Sequence, residues 1–127
     1  MSEIVWLSGA RGFVGENVRR SFLDAGSTVK CLSNSVSDDE NIIQVDYSIR
    51  DQIRKVFEKH DVPETFIHLG WGNVYQPHHE SHITSNLEES INLIDELYSC
   101  GLKRFLSIGS SSEYGDKTGL LQETYSA

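Results

Sequence analysis

The sequence predicts an α/β domain, a doubly wound parallel sheet of five strands in the order 3-2-1-4-5. Three observations carry that expectation. Short apolar runs alternate with amphipathic stretches along the chain, the first run leads directly into glycines at every third position, and each helical stretch ends on a stop signal before the next apolar run. Strands separated by helices require right-handed crossovers, which give a parallel sheet with helices on both faces. The ligand crevice then lies beyond the carboxyl ends of strands 1 and 4.

The first strand is Ile4 to Leu7, followed by Ser8-Gly9-Ala10-Arg11-Gly12-Phe13-Val14-Gly15. Each glycine has a physical task. Gly9 permits a sharp turn, Gly12 lets backbone approach a pyrophosphate, and Gly15 lets the following helix pack closely. That helix places Val14, Val18, Phe22 and Leu23 inward and presents its unpaired amides to phosphate. Ala25-Gly26-Ser27 stops it, and Thr28 to Leu32 is the second strand. Ser33 to Asn41 reads as a solvated loop and Ile42 to Val45 as the third strand, ending at Asp46.

Ser48 and Asp51 form a capping pair for a helix to about Lys59, with Ile49, Ile53, Val56 and Phe57 inward. Pro63 breaks that pattern, and Thr65 to Leu69 is the fourth strand. A loop from Gly70 to His79 carries Trp71 and Tyr75. Ser81 then opens a long helix whose Ile83, Leu87, Ile91, Ile94 and Leu97 recur at helical spacing as a buried stripe. Cys100-Gly101 closes it, and Lys103 to Ile108 is the fifth strand.

Composition narrows the function classes. A chain of 127 residues with 38% hydrophobic and 24% charged residues suits one soluble core. The formal net charge of −8 argues against a nucleic-acid partner, which needs a concentrated basic face. No apolar run approaches the roughly 20 residues that span a bilayer, and no signal-peptide pattern opens the chain, so the expected location is cytoplasmic. Cys31 and Cys100 lack C-x-x-C or zinc spacing and are expected to be reduced and structural. His78, His79 and His82 lack the H-E-x-x-H spacing of a metal site, so no metal is expected and the stretch reads as an exposed loop and helix start. His68 reads as a strand residue satisfied by hydrogen bonds.

Four further stretches, in order, extend the glycine turn. They are Asp46 at a strand end, Ile67-His68-Leu69-Gly70, Asn86-Leu87-x-x-Ser90-x-Asn92-Leu93, and Phe105 through Ser107, Ser110 and Ser112 to Tyr114-Gly115. With the turn, this ordered set resembles the extended short-chain dehydrogenase/reductase superfamily, the NAD-dependent epimerase/dehydratase family. Its corresponding segments read T-G-x-x-G-F-I/V-G, V-I-H-L-A, N-x-x-G-T-x-N-L and F-I-x-x-S-S-x-x-V-Y-G. The resemblance implies a Rossmann-type NAD(P)-binding domain over 1–127. It further implies cofactor contacts from Gly9, Arg11, Gly12, Phe13, Val14, Gly15, Ser33, Asp46, Tyr47, Leu69, Gly70, Trp71, Asn86 and Ser107.

By the same resemblance Ser110 takes the catalytic Ser/Thr position, bonding the substrate oxygen at the carbon that exchanges hydride. Ser112 falls where dehydratases of the family carry an acid. The implied substrate is a nucleotide sugar, and a homodimer is expected of the full-length enzyme. Two departures shape the expectation. The acid that binds the ribose diol at the end of the second strand is replaced by Ser33-Asn34, and Arg11 supplies a charged donor, which favours NADP over NAD. None of Tyr47, Tyr75, Tyr98, Tyr114 or Tyr125 has Lys four residues on in this sequence, and Tyr125 could serve only if a lysine followed at 129, so without the family's Y-x-x-x-K pair the chain reads as an inactive amino-terminal fragment, short of the later strands and the substrate lobe. The rival readings are a non-catalytic dinucleotide sensor of the same fold and, more remotely, a response-regulator-like domain.

Overall fold

The computed structural model describes residues 3–72, 74–76, 78–110, 114–116 and 118–124. Its centre is β1 (Ile4–Ser8), whose last four residues are all buried. β1 pairs in parallel with β2 (Thr28–Ser33) on one side and β4 (Thr65–His68) on the other; β3 (Ile42–Gln44) lies outside β2, and β5 (Arg104–Ser107) outside β4. The order is therefore 3-2-1-4-5, as the sequence pattern implies.

Side chains alternate across the strands and feed a core on each face of the sheet. Trp6, Leu32 and Phe66 meet Val45, Ile53, Phe57, Leu93 and Leu97 beneath α2 (Arg50–Lys59) and α3 (Ser85–Ser99). On the opposite face Val5, Leu7, Val29, Cys31 and Ile67 meet Val18 and Phe22 of α1 (Phe13–Asp24). Cys31 lies fully buried in this second core, and loss of water pushes its thiol up to about 11.

Several expected details give way to the packing. Val14 and Leu23 are about half exposed, because the face of α1 that meets the sheet is centred on Gly15, Val18 and Phe22. The 33–41 loop is tied down rather than merely solvated. Asp39 pairs with Arg19 of α1 at 2.6 Å and accepts the Asn41 amide at 2.9 Å, and these contacts hold its carboxyl below the usual carboxylate range. Ser48 does not cap α2; its amide and hydroxyl both donate to Asp46, and Ile49, which precedes the helix as its unsupported N-cap, stays exposed.

The largest departure is on α3. The chain first makes a 3-10 turn (Glu80–His82), and the helix then buries Asn86, Asn92, Leu93, Glu96 and Leu97. Ile83, Leu87, Ile91 and Ile94 stand exposed instead. Three polar side chains take the inward face because each has a partner there: Asn86 bonds the backbone of Gly72, Asn92 joins Tyr47 O to Arg50, and Glu96 receives both ends of the Arg54 fork.

Candidate functional site

The carboxyl ends of β1, β2 and β4 open on the same edge of the sheet, at the point where the chain crosses from β3 to β4. Gly9 follows β1 at φ +69°, and a Cβ there would fall 2.6 Å from Gly70 N, so the first turn and the exit of β4 touch backbone to backbone. Gly15 sits equally close on the other side: a Cβ would lie 2.0 Å from Gly9 O. Gly12 differs. Among the described residues beyond its chain neighbours, the one heavy atom within 4 Å of its would-be Cβ is Gly9 O at 3.4 Å, and Gly12 is the N-cap of α1 with no side-chain hydrogen bond closing the helix start. Bare amides at a helix start, behind a residue with open space over it, form a cradle for an anion.

This cradle bounds a crevice of about 470 Å³. Of the residues singled out in the sequence, Gly9, Arg11, Gly12, Ser33, Tyr47, Leu69, Gly70, Trp71 and Asn86 line it. Phe13 and Val14 project their side chains into solvent and offer the site only backbone, while Gly15 is buried under the turn. Arg11 reaches across toward the segment after β2, donating to Val36 O at 3.4 Å, and the Ser33 hydroxyl accepts the Ser35 amide at 3.1 Å. A second cavity of about 500 Å³ adjoins the first beyond β3, lined by Asn34, Gln44, Asp46, Tyr47, Gln52 and Glu89; Asn34, Tyr47 and Glu89 face both.

The floor of the crevice is a directed hydrogen-bond chain. Ser8 Oγ accepts the amides of Leu69 and Gly70 at 3.2 Å each, so its proton points to His68 Nδ1, 2.5 Å away. His68 then carries its own proton on Nε2 and donates to Ser90 Oγ at 2.9 Å, and Ser90 donates to Asn86 O at 2.7 Å. Burial lowers the His68 pKa, which keeps the ring neutral, as this pattern requires. β1, β4 and α3 are thereby locked together under the site.

The loop after β4 is held from α3. The Asn86 side chain accepts from Gly72 N at 3.0 Å and donates to Gly72 O at 2.9 Å, so its amide mimics a strand partner and positions the loop. His82 is more than an exposed helix-start residue. Its Nδ1 accepts from Trp71 Nε1 at 2.8 Å and from Asn86 Nδ2 at 3.2 Å, its Nε2 donates to Gln76 O at 2.8 Å, and its ring stacks on Trp71.

The remaining site residues fall elsewhere. Ser107, at the end of β5, and Ser110 are exposed and stand outside the lining of either cavity. Ser112 lies outside the described residues. Asp46 has both bonds from Ser48 on Oδ1, which lowers its pKa, and its own amide donates to Gln52. Sequence reasoning named Tyr47 but not Glu89, which lines both cavities. The signal for Glu89 was present, since it occupies the glycine position of the N-x-x-G-T-x-N-L segment.

The profile of the NAD dependent epimerase/dehydratase family matches residues 5–127. The chain belongs to that family. Among solved structures of the same fold, it is similar to the UDP-Glc/GlcNAc 4-epimerase of Campylobacter jejuni, with 19% identity, a TM-score of 0.84, and coverage of 98% of this chain and 42% of that one. It is also similar to the UDP-glucose 4-epimerase of Thermus thermophilus solved with NAD, with 21% identity, a TM-score of 0.77, and coverage of 97% and 43%. A third is a short-chain dehydrogenase/reductase superfamily protein from Agrobacterium tumefaciens with bound NAD, at 18% identity, a TM-score of 0.77, and coverage of 97% and 38%. The family member described here thus spans about two fifths of the length of these structures. No curated protein sequence matches it. No helix among the described residues is long and apolar enough to cross a membrane.

Proposed function

We propose that this chain is the cofactor-binding part of an NAD(P)-dependent sugar-nucleotide epimerase, reductase or dehydratase. The observation that carries the reading is the uncapped start of α1 behind Gly12, opening on a crevice that runs to the ends of β2 and β4. The residues present fit a dinucleotide. The amides of Phe13 and Val14 would hold the pyrophosphate, Ser33 would stand beside the adenosine ribose, and Leu69, Gly70 and Trp71 would line the nicotinamide half, since the Gly12 amide is already donated to Gly9 O at 3.1 Å.

When bound, the cofactor supplies reversible hydride acceptance from a sugar carbon. The protein's part is to hold and orient. The Ser8–His68–Ser90 chain keeps the crevice floor fixed, and Asn86 and His82 set the loop bearing Trp71. Ser110 is assigned to the oxygen on the reacting sugar carbon. The nucleotide-sugar class rests on family membership and on the UDP-sugar epimerases that share the fold.

NADP is the preferred cofactor in this reading. β2 ends on Ser33 without a carboxylate, and the Arg11 guanidinium stands over the following loop, where a 2′-phosphate would meet a planar donor.

Calorimetry with NADP and NAD tests both layers. Gly12→Val should abolish binding of either while circular dichroism stays native, and Arg11→Ala should weaken NADP by about tenfold with NAD nearly unchanged. Unaltered affinity in Gly12→Val removes the glycine cradle; equal losses in Arg11→Ala remove Arg11 from the phosphate.

A further inference from the structure

Trp71 lines the crevice at the exit of β4 although it is 43% exposed. An indole on a loop with so much of its surface in water is held less by packing than by the partner its N–H finds. That partner is His82, which stands outside the crevice lining. Trp71 Nε1 donates to His82 Nδ1 at 2.8 Å, and the two rings lie 15° from parallel with centroids 6.1 Å apart.

The groups around His82 leave its ring one protonation state. An indole N–H only donates, so Nδ1 must offer it a lone pair. Asn86 turns its Oδ1 to the Gly72 amide and its Nδ2 to Gly72 O, so the group it presents to the same Nδ1, at 3.2 Å, is also a donor. On the far side Nε2 lies 2.8 Å from Gln76 O, a carbonyl that only accepts, so Nε2 carries the proton. A second proton has Nδ1 as its one place to go, where it would meet the N–H groups of Trp71 and Asn86. Asn86 keeps its two bonds to Gly72, whereas the Trp71 indole loses the acceptor that fixes it.

The titratable groups on the elements that meet the ring are Tyr75, His78 and His79 in the loop, Glu80 on the 3-10 turn, and Glu88 and Glu89 at the start of α3. Among the described residues no ion pair joins His82 to any of them, and the His79 ring is engaged with Ser81. We infer that His82 is a proton-operated latch on Trp71: the neutral ring holds the indole against the crevice, and protonation frees it and weakens binding in the crevice. The effect on binding rests on the cofactor reading above; the latch does not. It makes His82 a positioning residue that acts through Trp71, and release frees a loop while the sheet and both cores stay in place.

The two tryptophans of the chain make the latch visible. Trp6 Nε1 is buried without a partner among the described residues, so proton–nitrogen correlation NMR of the full chain gives two distinct indole signals, assigned with Trp71→Phe. Imidazole is the side chain whose charge changes between about pH 5 and 8, and over that range the Trp71 signal should move in the wild type. In His82→Asn, whose Oδ1 keeps an acceptor near the Nδ1 position without titrating, it should stay fixed, and in His82→Ala it should take the released position throughout. Calorimetry with NAD and NADP should show wild-type affinity falling about fivefold further than that of His82→Asn between about pH 8 and 5.5. Titration of His68, Glu89 and the 2′-phosphate of NADP is common to both proteins and cancels in that ratio. A Trp71 signal that stays fixed in the wild type, or moves equally in His82→Asn, overturns the latch. Affinities that run parallel in the two proteins overturn its action on the crevice. Failure of the wild type to bind either dinucleotide at about pH 8 removes the cofactor reading, and the indole signal alone then upholds or overturns the latch.

Discussion

Gly15 shows how completely one position can decide a local structure. Its missing side chain lets the first turn of α1 rest on the Gly9 carbonyl, and a Cβ would lie 2.0 Å from that oxygen and 2.8 Å from Ala10 Cα. Both neighbours are backbone of the turn itself, so no flexible side chain can move aside. Gly15→Ala should therefore cost about 2–3 kcal/mol in chemical denaturation, in the range of overpacked cores. Gly12→Ala meets only Gly9 O at 3.4 Å and should leave the denaturation midpoint nearly unchanged. A Gly15→Ala protein as stable as Gly12→Ala would show that the turn can open, and the cradle would lose its rigid back wall. The sequence spacing identified both glycines, and their different tasks follow from what lies beyond each missing Cβ.

At the scale of elements, α3 is where pattern and packing part. Its isoleucines and leucines recur at helical spacing, but two interleaved stripes share that spacing: one through Ile83, Leu87, Ile91 and Ile94, the other through Asn86, Leu93 and Leu97. Hydropathy favours the first stripe. The structure buries the second, because Asn86, Asn92 and Glu96 each gain a partner across the interface that solvent-facing polar residues would lack. Such partners lie 14 to 45 residues away in the chain and have no local signature. Leu93→Ala should thus cost about 3 kcal/mol, as fully buried leucines do. Ile91→Ala, at a position 46% exposed, should change stability by roughly 0.5 kcal/mol or less. Denaturation of the two variants checks the assignment, and the opposite ranking would return the helix to the face that hydropathy favours. The glycine turn, strand order and helix stops were legible because each is local or follows from crossover handedness. The His82–Trp71 pair was not, since its meaning comes from residues brought together by the fold.

Across the whole molecule, the same polar bonds that build the crevice floor tie stability to pH. His68 sits between Ser8 and Ser90 as a neutral ring, and burial places its folded pKa below the ordinary 6.5. The unfolded chain then takes up a proton near 6.5 that the folded one refuses. Stability contributed by the neutral ring is present above 6.5 and is lost as pH falls from there through the lower folded value. His60, lowered by burial and by Lys30 and Lys59, acts in the same sense. Glu89, raised by burial and by Asp46, acts in the opposite one, because its folded form takes a proton first and gains stability as pH approaches the usual 4.5. Asp39, Asp46 and Asp51 are lowered, so their contribution is lost only in stronger acid, below about 3.8. Between about pH 7 and 5 the two histidines draw stability down as pH falls while Glu89 opposes them, and His68→Gln isolates the buried ring. Thermal midpoints should be flat between about pH 7 and 8 and decline below about 6.5 in the wild type. In the variant the decline should be visibly shallower, whatever its absolute stability, while the strongly acid limb stays the same. An identical decline in both proteins between about pH 7 and 5 would mean that His68 accepts its proton in the folded state as readily as in water, and the directed chain from Ser8 to Asn86 would have to be redrawn.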